Sequence, residues 1–313
     1  MSALWEGVKR FFVFRLTPPA LIKSFAHPYI SGDSMESAIR LADSLHQGQS
    51  LQSTIDVLGE EVSSEAEARA YTEVYLGLIR GLGERRHATI SLKPTAMGLR
   101  LGEGLAAGLI DRVVGEAARS KVGVTIDMED HTLTDATLKL HRRLREQHGM
   151  ELIGTVLQSR LFRTAADVEA LSGLPSRIRL CLGIYREPGT IAWTDKRRIK
   201  ENFLVLLERL AAGGHFVEVA THDEALVVRS RELLERLGVP RERIEFQMLL
   251  GVPRGPLQAR LVAAGYPVRL YVPFALRWAD AIAYCRRRMV ENPSMAAMVL
   301  GNLFSPQRQG AAS

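Results

Sequence analysis

The chain has 313 residues with 41 basic and 35 acidic side chains, a net charge of +6, and 46% hydrophobic against 24% charged residues. That balance provides a sizeable core and argues against an intrinsically disordered protein, while no apolar run reaches the roughly 18 residues needed to cross a bilayer. Basic residues are scattered and aromatics make up only 6% of the chain, which argues against nucleic-acid binding.

Cys181 and Cys285 lie far apart in apolar surroundings, so two reduced, packed thiols in a cytoplasmic protein are expected. No second Cys or His stands at metal-ligand spacing from them, and His131 and His222 also lack such a partner, so no metal site is expected.

From the N-terminus, Trp5, Phe11, Phe12 and Phe14 are interrupted by Lys9, Arg10 and Arg15. That interruption breaks a secretory h-region. The segment reads as an accessory helix packed on its own domain, in preference to a helix lying on a membrane surface. Asp33 with Glu36 resembles a capping box opening a helix over 34–46, with Met35, Ile39, Leu41 and Leu45 on its buried stripe.

After residue 49 the pattern changes. Short apolar runs at 53–58, 88–92, 122–128, 153–158, 178–183, 216–220, 244–249 and 268–272 read as strands. In the last of them Val268, Leu270 and Val272 alternate with Arg269 and Tyr271. Between the runs lie amphipathic segments at 65–82, 105–118, 134–146, 165–172, 196–212, 223–237 and 256–264. Eight strand–helix units in succession predict a parallel (β/α)8 barrel of the TIM type. The expected division is an N-terminal helical arm over 1–50, the barrel over 51–305 and a tail over 306–313.

Barrel enzymes assemble their sites at the C-terminal ends of strands. Polar residues cluster there: Glu60, Lys93, Asp127, Glu129, Gln158, Tyr185, Thr221, His222, Gln247 and Tyr271. A buried charge is costly unless paired, and Lys93 and Asp127, from neighbouring strands, are expected to pair. Glu60 and Asp223 read instead as end-of-barrel salt bridges or caps. Gly102-Glu-Gly-Leu-Ala-Ala107 superficially fits a dinucleotide fingerprint, but it follows Lys93 by about nine residues and not a strand directly, so it reads as a loop entering a helix.

Beyond the eighth strand, Tyr284, Arg287, Arg288 and Glu291 stand at i, i+3, i+4 and i+7 and share one helix face. An aromatic ring beside two guanidiniums can grip a small carboxylate bidentately while covering an apolar ring. From spacing alone a solvated basic face is an equally good reading.

The stretches Val57-Leu-Gly-Glu60, Ser91-Leu-Lys-Pro-Thr95, Ile126-Asp-Met-Glu-Asp-His-Thr132, Thr155-Val-Leu-Gln158, Arg179 through Pro188, Ala220-Thr-His-Asp223, Glu245-Phe-Gln-Met-Leu249 and the terminal strand–helix pair occur in order. Together they resemble the catalytic domain of the proline dehydrogenase family, over roughly residues 20–305. The resemblance implies a distorted β/α barrel holding FAD without a Rossmann fold. It implies oxidation of L-proline to pyrroline-5-carboxylate by hydride transfer from C5 to the flavin N5, with electrons passed to a quinone and a peripheral membrane contact through the N-terminal segment.

By the same resemblance Arg287 and Arg288 bind the substrate carboxylate with Lys93 helping, and Asp127 stands beside Lys93. Tyr185, Leu249, Tyr271 and Tyr284 wall the ring, Tyr271 leaves little room for a 4-hydroxyl, and Glu291 orients an arginine. Gln158, Arg179, Gly183, Tyr185, Thr221, His222 and Gln247 match cofactor-contacting positions.

The chain departs from the family pattern at Leu182, where a lysine is usual, and at Leu250, where an aromatic or histidine is usual. It departs again at Phe274-Ala275 and in a longer stretch between Pro273 and Tyr284. A flavin dehydrogenase for a modified proline or another cyclic imino acid, and a degenerate non-catalytic barrel, are the competing readings.

Overall fold

In a computed structural model, residues 28–59, 61–149 and 151–291 are described, the last six of them by their backbone alone. Eight parallel strands close into a barrel in sequence order: β1 (Gln52–Val57), β2 (Ala88–Leu92), β3 (Val124–Ile126), β4 (Ile153–Gln158), β5 (Arg177–Cys181), β6 (Phe216–Ala220), β7 (Ile244–Leu249) and β8 (Val268–Phe274). β1 pairs with both β2 and β8, which completes the closure and leaves no unpaired sheet edge.

The helices are α1 (Met35–Gln49), α2 (Glu65–Leu82), α3 (Glu103–Ser120), α4 (Thr134–His148), α5 (Thr164–Ala170), α6 (Lys196–Ala212), α7 (Glu224–Arg236), α8 (Gly255–Ala263) and α9 (Trp278–Glu291). Each follows from an amphipathic stretch with its own stop and start signals. α2 opens on Ser64, whose side chain accepts from Glu67 N, and α7 opens on Asp223, which accepts from Leu226 N at 3.0 Å. Asp223 is thus the cap its position suggests. The cap of α1 is Ser34, which accepts from Ser37 N at 3.3 Å, in place of the expected Asp33. Gly102 opens α3 ten residues beyond β2, so the apparent fingerprint is a loop entering a helix.

Two features of the fold place the site. The first is where the end helices go. Ala38, Ile39, Ala42 and Leu45 of α1 join the same hydrophobic core as the barrel, and α1 packs against β1, β8 and α2. It thereby covers the flank where the repeat would put a helix after β8. The helix that does follow β8, α9, buries Ala281, Tyr284 and Cys285 against Tyr29, Ile30, Leu58 and Ala275, at the end of the barrel where β1 and β8 finish. Of the expected arm over 1–50, residues 1–27 lie outside the described residues, as does the tail over 306–313.

The second feature is the direction of the strand residues. Period-2 alternation sends Ile55, Ile90, Ile178, Leu180, Val217, Val219, Phe246, Val268, Leu270 and Val272 to the helix layer, where all are buried. Their alternating neighbours point inward. Hydrogen bonds between strands that are not adjacent show this: Arg179 on β5 reaches Asp127 at the end of β3 at 2.8 Å, and Arg269 on β8 reaches Thr89 on β2 at 3.1 Å. The barrel interior is therefore a ladder of paired charges. Arg269 meets Glu245 at 2.7 Å and Arg177 meets Glu218 at 2.7 Å towards one end, while Arg179 with Asp127 and Lys93 with Asp56 lie towards the other. Removing one member of such a pair costs about 3–5 kcal/mol, because its partner is left buried and uncompensated.

Candidate active site

The upper rungs of that ladder open into a cavity of about 430 Å³ at the C-terminal end of the strands, within the usual range for a small-ligand site. Lys93 leaves β2 directly before Pro94, a position that favours extended backbone. Its Nζ lies 2.8 Å from Asp56 Oδ2, 3.3 Å from the Tyr271 hydroxyl and 3.8 Å from Asp127 Oδ2.

Asp127 leaves β3 one residue after its last pairing. Its Oδ1 accepts from Ser91 Oγ at 2.7 Å and from Arg179 Nη1 at 2.8 Å, and its Oδ2 accepts from the Tyr271 hydroxyl at 2.8 Å. Three donors hold this carboxylate in one orientation. Tyr271 is flanked by two cations, with the Arg179 guanidinium 5.5 Å and Lys93 Nζ 5.9 Å from its ring centre. Burial, reinforced by the charge of Asp127, pushes the Tyr271 phenol well above its ordinary value, so it is a neutral donor.

Arg179 is 7% exposed. Burial works against its charge, but Asp127 and Glu218 outweigh burial and raise its pKa. Nε donates to Gln247 Oε1 at 2.6 Å, and Gln247 in turn donates to Glu245 Oε1 at 2.7 Å. Among the described residues nothing accepts from Arg179 Nη2. A buried guanidinium N–H without an acceptor is expensive, and this one belongs to a side chain that lines the cavity.

Gly183 follows β5 with φ +96°, and a Cβ there would meet Gln158 Oε1 at 2.8 Å. Both conditions call for glycine. Cys181 also lines the cavity, but burial pushes its thiol up to about 11, so it stays un-ionised and is no nucleophile.

The residues expected at a substrate, Lys93, Asp127, Tyr185, Leu249, Tyr271 and Tyr284, all line this cavity. So do Gln158, Arg179, Gly183, Thr221, His222 and Gln247, the residues expected at a cofactor. Lys93 and Asp127 are near one another as expected, but each has a closer partner, Asp56 for the lysine and Arg179 for the aspartate. The side chains of Arg287, Arg288 and Glu291 lie outside the described residues, as does Glu60. The backbone of α9 continues helical through Glu291, one to two turns beyond Tyr284.

Leu182 lines the cavity and packs in part on the core, so an apolar surface stands at that position. Residues to which the sequence assigned no role are Asp56, Ser91, Glu218 and Glu245. Each sits in or beside an apolar run, and only the closure of the barrel shows that these polar positions face inward.

A sequence profile described as "Proline dehydrogenase" matches residues 38–299. Proline dehydrogenase 1 of Bacillus subtilis (strain 168) is 35% identical over 280 residues, covering 89% of this chain and 90% of the relative. The proline dehydrogenase of Deinococcus radiodurans is 34% identical over 285 residues, covering 90% of each. Among solved structures, proline utilization A from Bdellovibrio bacteriovorus, inactivated by N-propargylglycine, aligns with a TM-score of 0.79 at 23% identity. The alignment covers 90% of this chain and 34% of that larger protein, a likeness of fold.

Proposed function

The chain belongs to the proline dehydrogenase family, and we propose that it oxidises L-proline to pyrroline-5-carboxylate, with FAD and substrate sharing the cavity at the barrel mouth. One observation carries the assignment of the site. A lysine, three tyrosine rings and a buried arginine whose Nη2 has no acceptor among the described residues line a single cavity of the right size for a small ring carboxylate beside a planar group.

The residues present suit a flavin. Arg179 has a buried donor with no acceptor among the described residues, Gly183 leaves backbone space where a side chain would intrude, and Leu182, Met128 and Val156 offer apolar surface. Gln158, Arg179, Gly183, Tyr185, Thr221, His222 and Gln247 would hold it. When bound, FAD supplies the hydride acceptor, its N5, and passes the electrons on to a quinone. A cation at Arg179 would stabilise an electron-rich ring.

The chain's own residues bind and orient the substrate. Lys93, with Arg287 and Arg288 from α9, takes the proline carboxylate, and Glu291 orients one of the arginines. Tyr271, Tyr284, Tyr185 and Leu249 enclose the ring and exclude water from its C5. Asp127 is saturated by three donors and so keeps Arg179 and Tyr271 in place. Loss of a hydride from C5 and a proton from nitrogen leaves the C=N bond of pyrroline-5-carboxylate.

Trp5, Phe11, Phe12 and Phe14 with Lys9, Arg10 and Arg15 suit a peripheral contact with the membrane that holds the quinone. Among the described residues no helix is long and apolar enough to cross a membrane.

Steady-state turnover of L-proline with a soluble quinone tests the assignment. Proline-dependent quinone reduction with pyrroline-5-carboxylate as product is expected, and a flavin-loaded protein that turns over another cyclic imino acid but not proline contradicts it. A second prediction concerns the cofactor. Gly183→Ala forces a Cβ towards Gln158 at a φ that disfavours any side chain, at a cost of about 1–2 kcal/mol. Flavin affinity should fall by about tenfold, measured by fluorescence titration of the apoprotein, and the midpoint of thermal unfolding of that apoprotein should fall by a few degrees.

A further inference from the structure

Asp56 lies within β1, is fully buried, and is not among the residues lining the cavity. A carboxylate inside a strand is costly unless paired, and its partner is Lys93 Nζ at 2.8 Å. Asp127, the other carboxylate within 4 Å of that ammonium among the described residues, stands at 3.8 Å and is already engaged by Ser91, Arg179 and Tyr271. The nearer counter-charge of the cavity lysine therefore sits behind it, away from any ligand, and the farther one is committed elsewhere.

We propose that Asp56 is the positioning residue for Lys93, anchoring the ammonium from the barrel interior so that it meets the substrate carboxylate at a fixed place. This rests on the reading that Lys93 binds that carboxylate. Asp56 does not touch the ligand; it acts through the lysine. An ammonium on a flexible four-carbon stem is a poor clamp unless something fixes its end, and a charge-assisted hydrogen bond in a dry interior supplies that.

The groups facing Asp56 come from four elements. They are Lys93 after β2, the Tyr271 hydroxyl on β8, the Asp127 carboxylate after β3, and the Tyr75 hydroxyl on α2, which lies 3.4 Å from Oδ1 while donating to Ser91 O at 2.8 Å. Burial raises the Asp56 carboxyl, Lys93 offsets part of that and Asp127 adds to it, and the result is a carboxyl pushed up to about 6. Its folded value lies above the ordinary carboxylate range, so Asp56 is ionised above that pH and neutral below it. Protonation removes the charge that holds the Lys93 ammonium in position, so the clamp loosens.

Equilibrium binding of tetrahydrofuran-2-carboxylate, a ring carboxylate with no ionisable nitrogen, to the flavin-loaded enzyme from pH 7.5 to pH 5 tests this. For the wild type the dissociation constant should rise about tenfold as the pH falls, with a midpoint near 6. Asp56→Asn, which mimics the protonated form, should bind about tenfold more weakly at pH 7.5 and lose the acid limb. Lys93→Met should lose the acid limb as well, and adding Asp56→Asn to it should weaken binding no further.

Wild-type affinity with an unchanged acid limb in Asp56→Asn overturns the proposal. If Asp56→Asn fails to fold, an acid limb that persists in Lys93→Met overturns it equally. A wild type that binds the ring carboxylate without any acid limb overturns this inference alone. One that binds no ring carboxylate overturns the functional reading with it.

Discussion

Lys93→Met raises the KM for L-proline by about a hundredfold and leaves kcat within a few-fold of wild type. The size follows from what is removed. A hydrogen bond to a charged group is worth roughly 1.5–3 kcal/mol, and more of that is realised where solvent is excluded. The Lys93 side chain is 12% exposed and its ammonium lines the cavity between Asp56 and Tyr271. Methionine keeps most of the stem and can fill the same space, so the loss is of charge and not of packing. Because the carboxylate is held equally before and during hydride transfer, the effect falls on KM. The variant also leaves Asp56 without its counter-charge, and that carboxyl, already raised to about 6, would take up a proton in place of standing as a bare buried charge. Steady-state kinetics checks the first effect. A KM within threefold of wild type would take Lys93 out of the substrate site.

Arg287→Ala and Arg288→Ala each lower kcat/KM for L-proline by about a thousandfold. The expectation starts from α9, whose Tyr284 is 5% exposed and lines the cavity. Positions 287 and 288 follow it by three and four residues in the same continuous helix, so they lie on the face that carries Tyr284. Two guanidiniums forming a fork on one carboxylate add geometry to charge, and truncating one partner of a desolvated ion pair costs about 2–5 kcal/mol, which brackets a thousandfold. Arg288→Lys keeps the charge and loses the fork, and should recover only part of the activity. Added guanidinium ion should restore turnover to the alanine variants in a saturable way. Alanine variants with wild-type kcat/KM would mean that this face is the solvated basic surface that the spacing equally allows.

The fold was legible because each strand and helix announces itself locally. Strand β2 is found at 88–92 and β4 at 153–158 as expected from their apolar runs. The differences are at ends. β3 covers only Val124–Ile126 of the expected 122–128, although the Asp127 N–H still donates to Leu92 O at 2.9 Å. β5 begins at Arg177, one residue before the expected start, because Arg177 pairs in register with Gly154 and Phe216 while its guanidinium meets Glu218.

The candidate site was legible where polar residues follow a strand, as Lys93, Asp127, Gly183, Tyr185 and His222 do. It was obscure where they lie inside one. Alternation at period 2 says that Asp56, Glu218 and Glu245 face away from their apolar neighbours, but it does not say which face becomes the inside of a closed barrel. Asp56 is the telling case. A lone acid within an apolar run reads as a solvated position, and only the closure of β1 onto β2 and β8 sets it against Lys93. Nor does local pattern foretell that α1 takes the flank beside β8 and so leaves the helix after β8 to pack where β1 and β8 finish.

The central claim is that one cavity brings L-proline to a bound flavin, and the visible spectrum of the purified protein under anaerobic conditions tests it most directly. After incubation with FAD the protein should be yellow, and adding L-proline should bleach the oxidised-flavin absorbance with saturable dependence on proline concentration. A protein that stays colourless with FAD, or whose flavin spectrum L-proline leaves unchanged, would contradict the account.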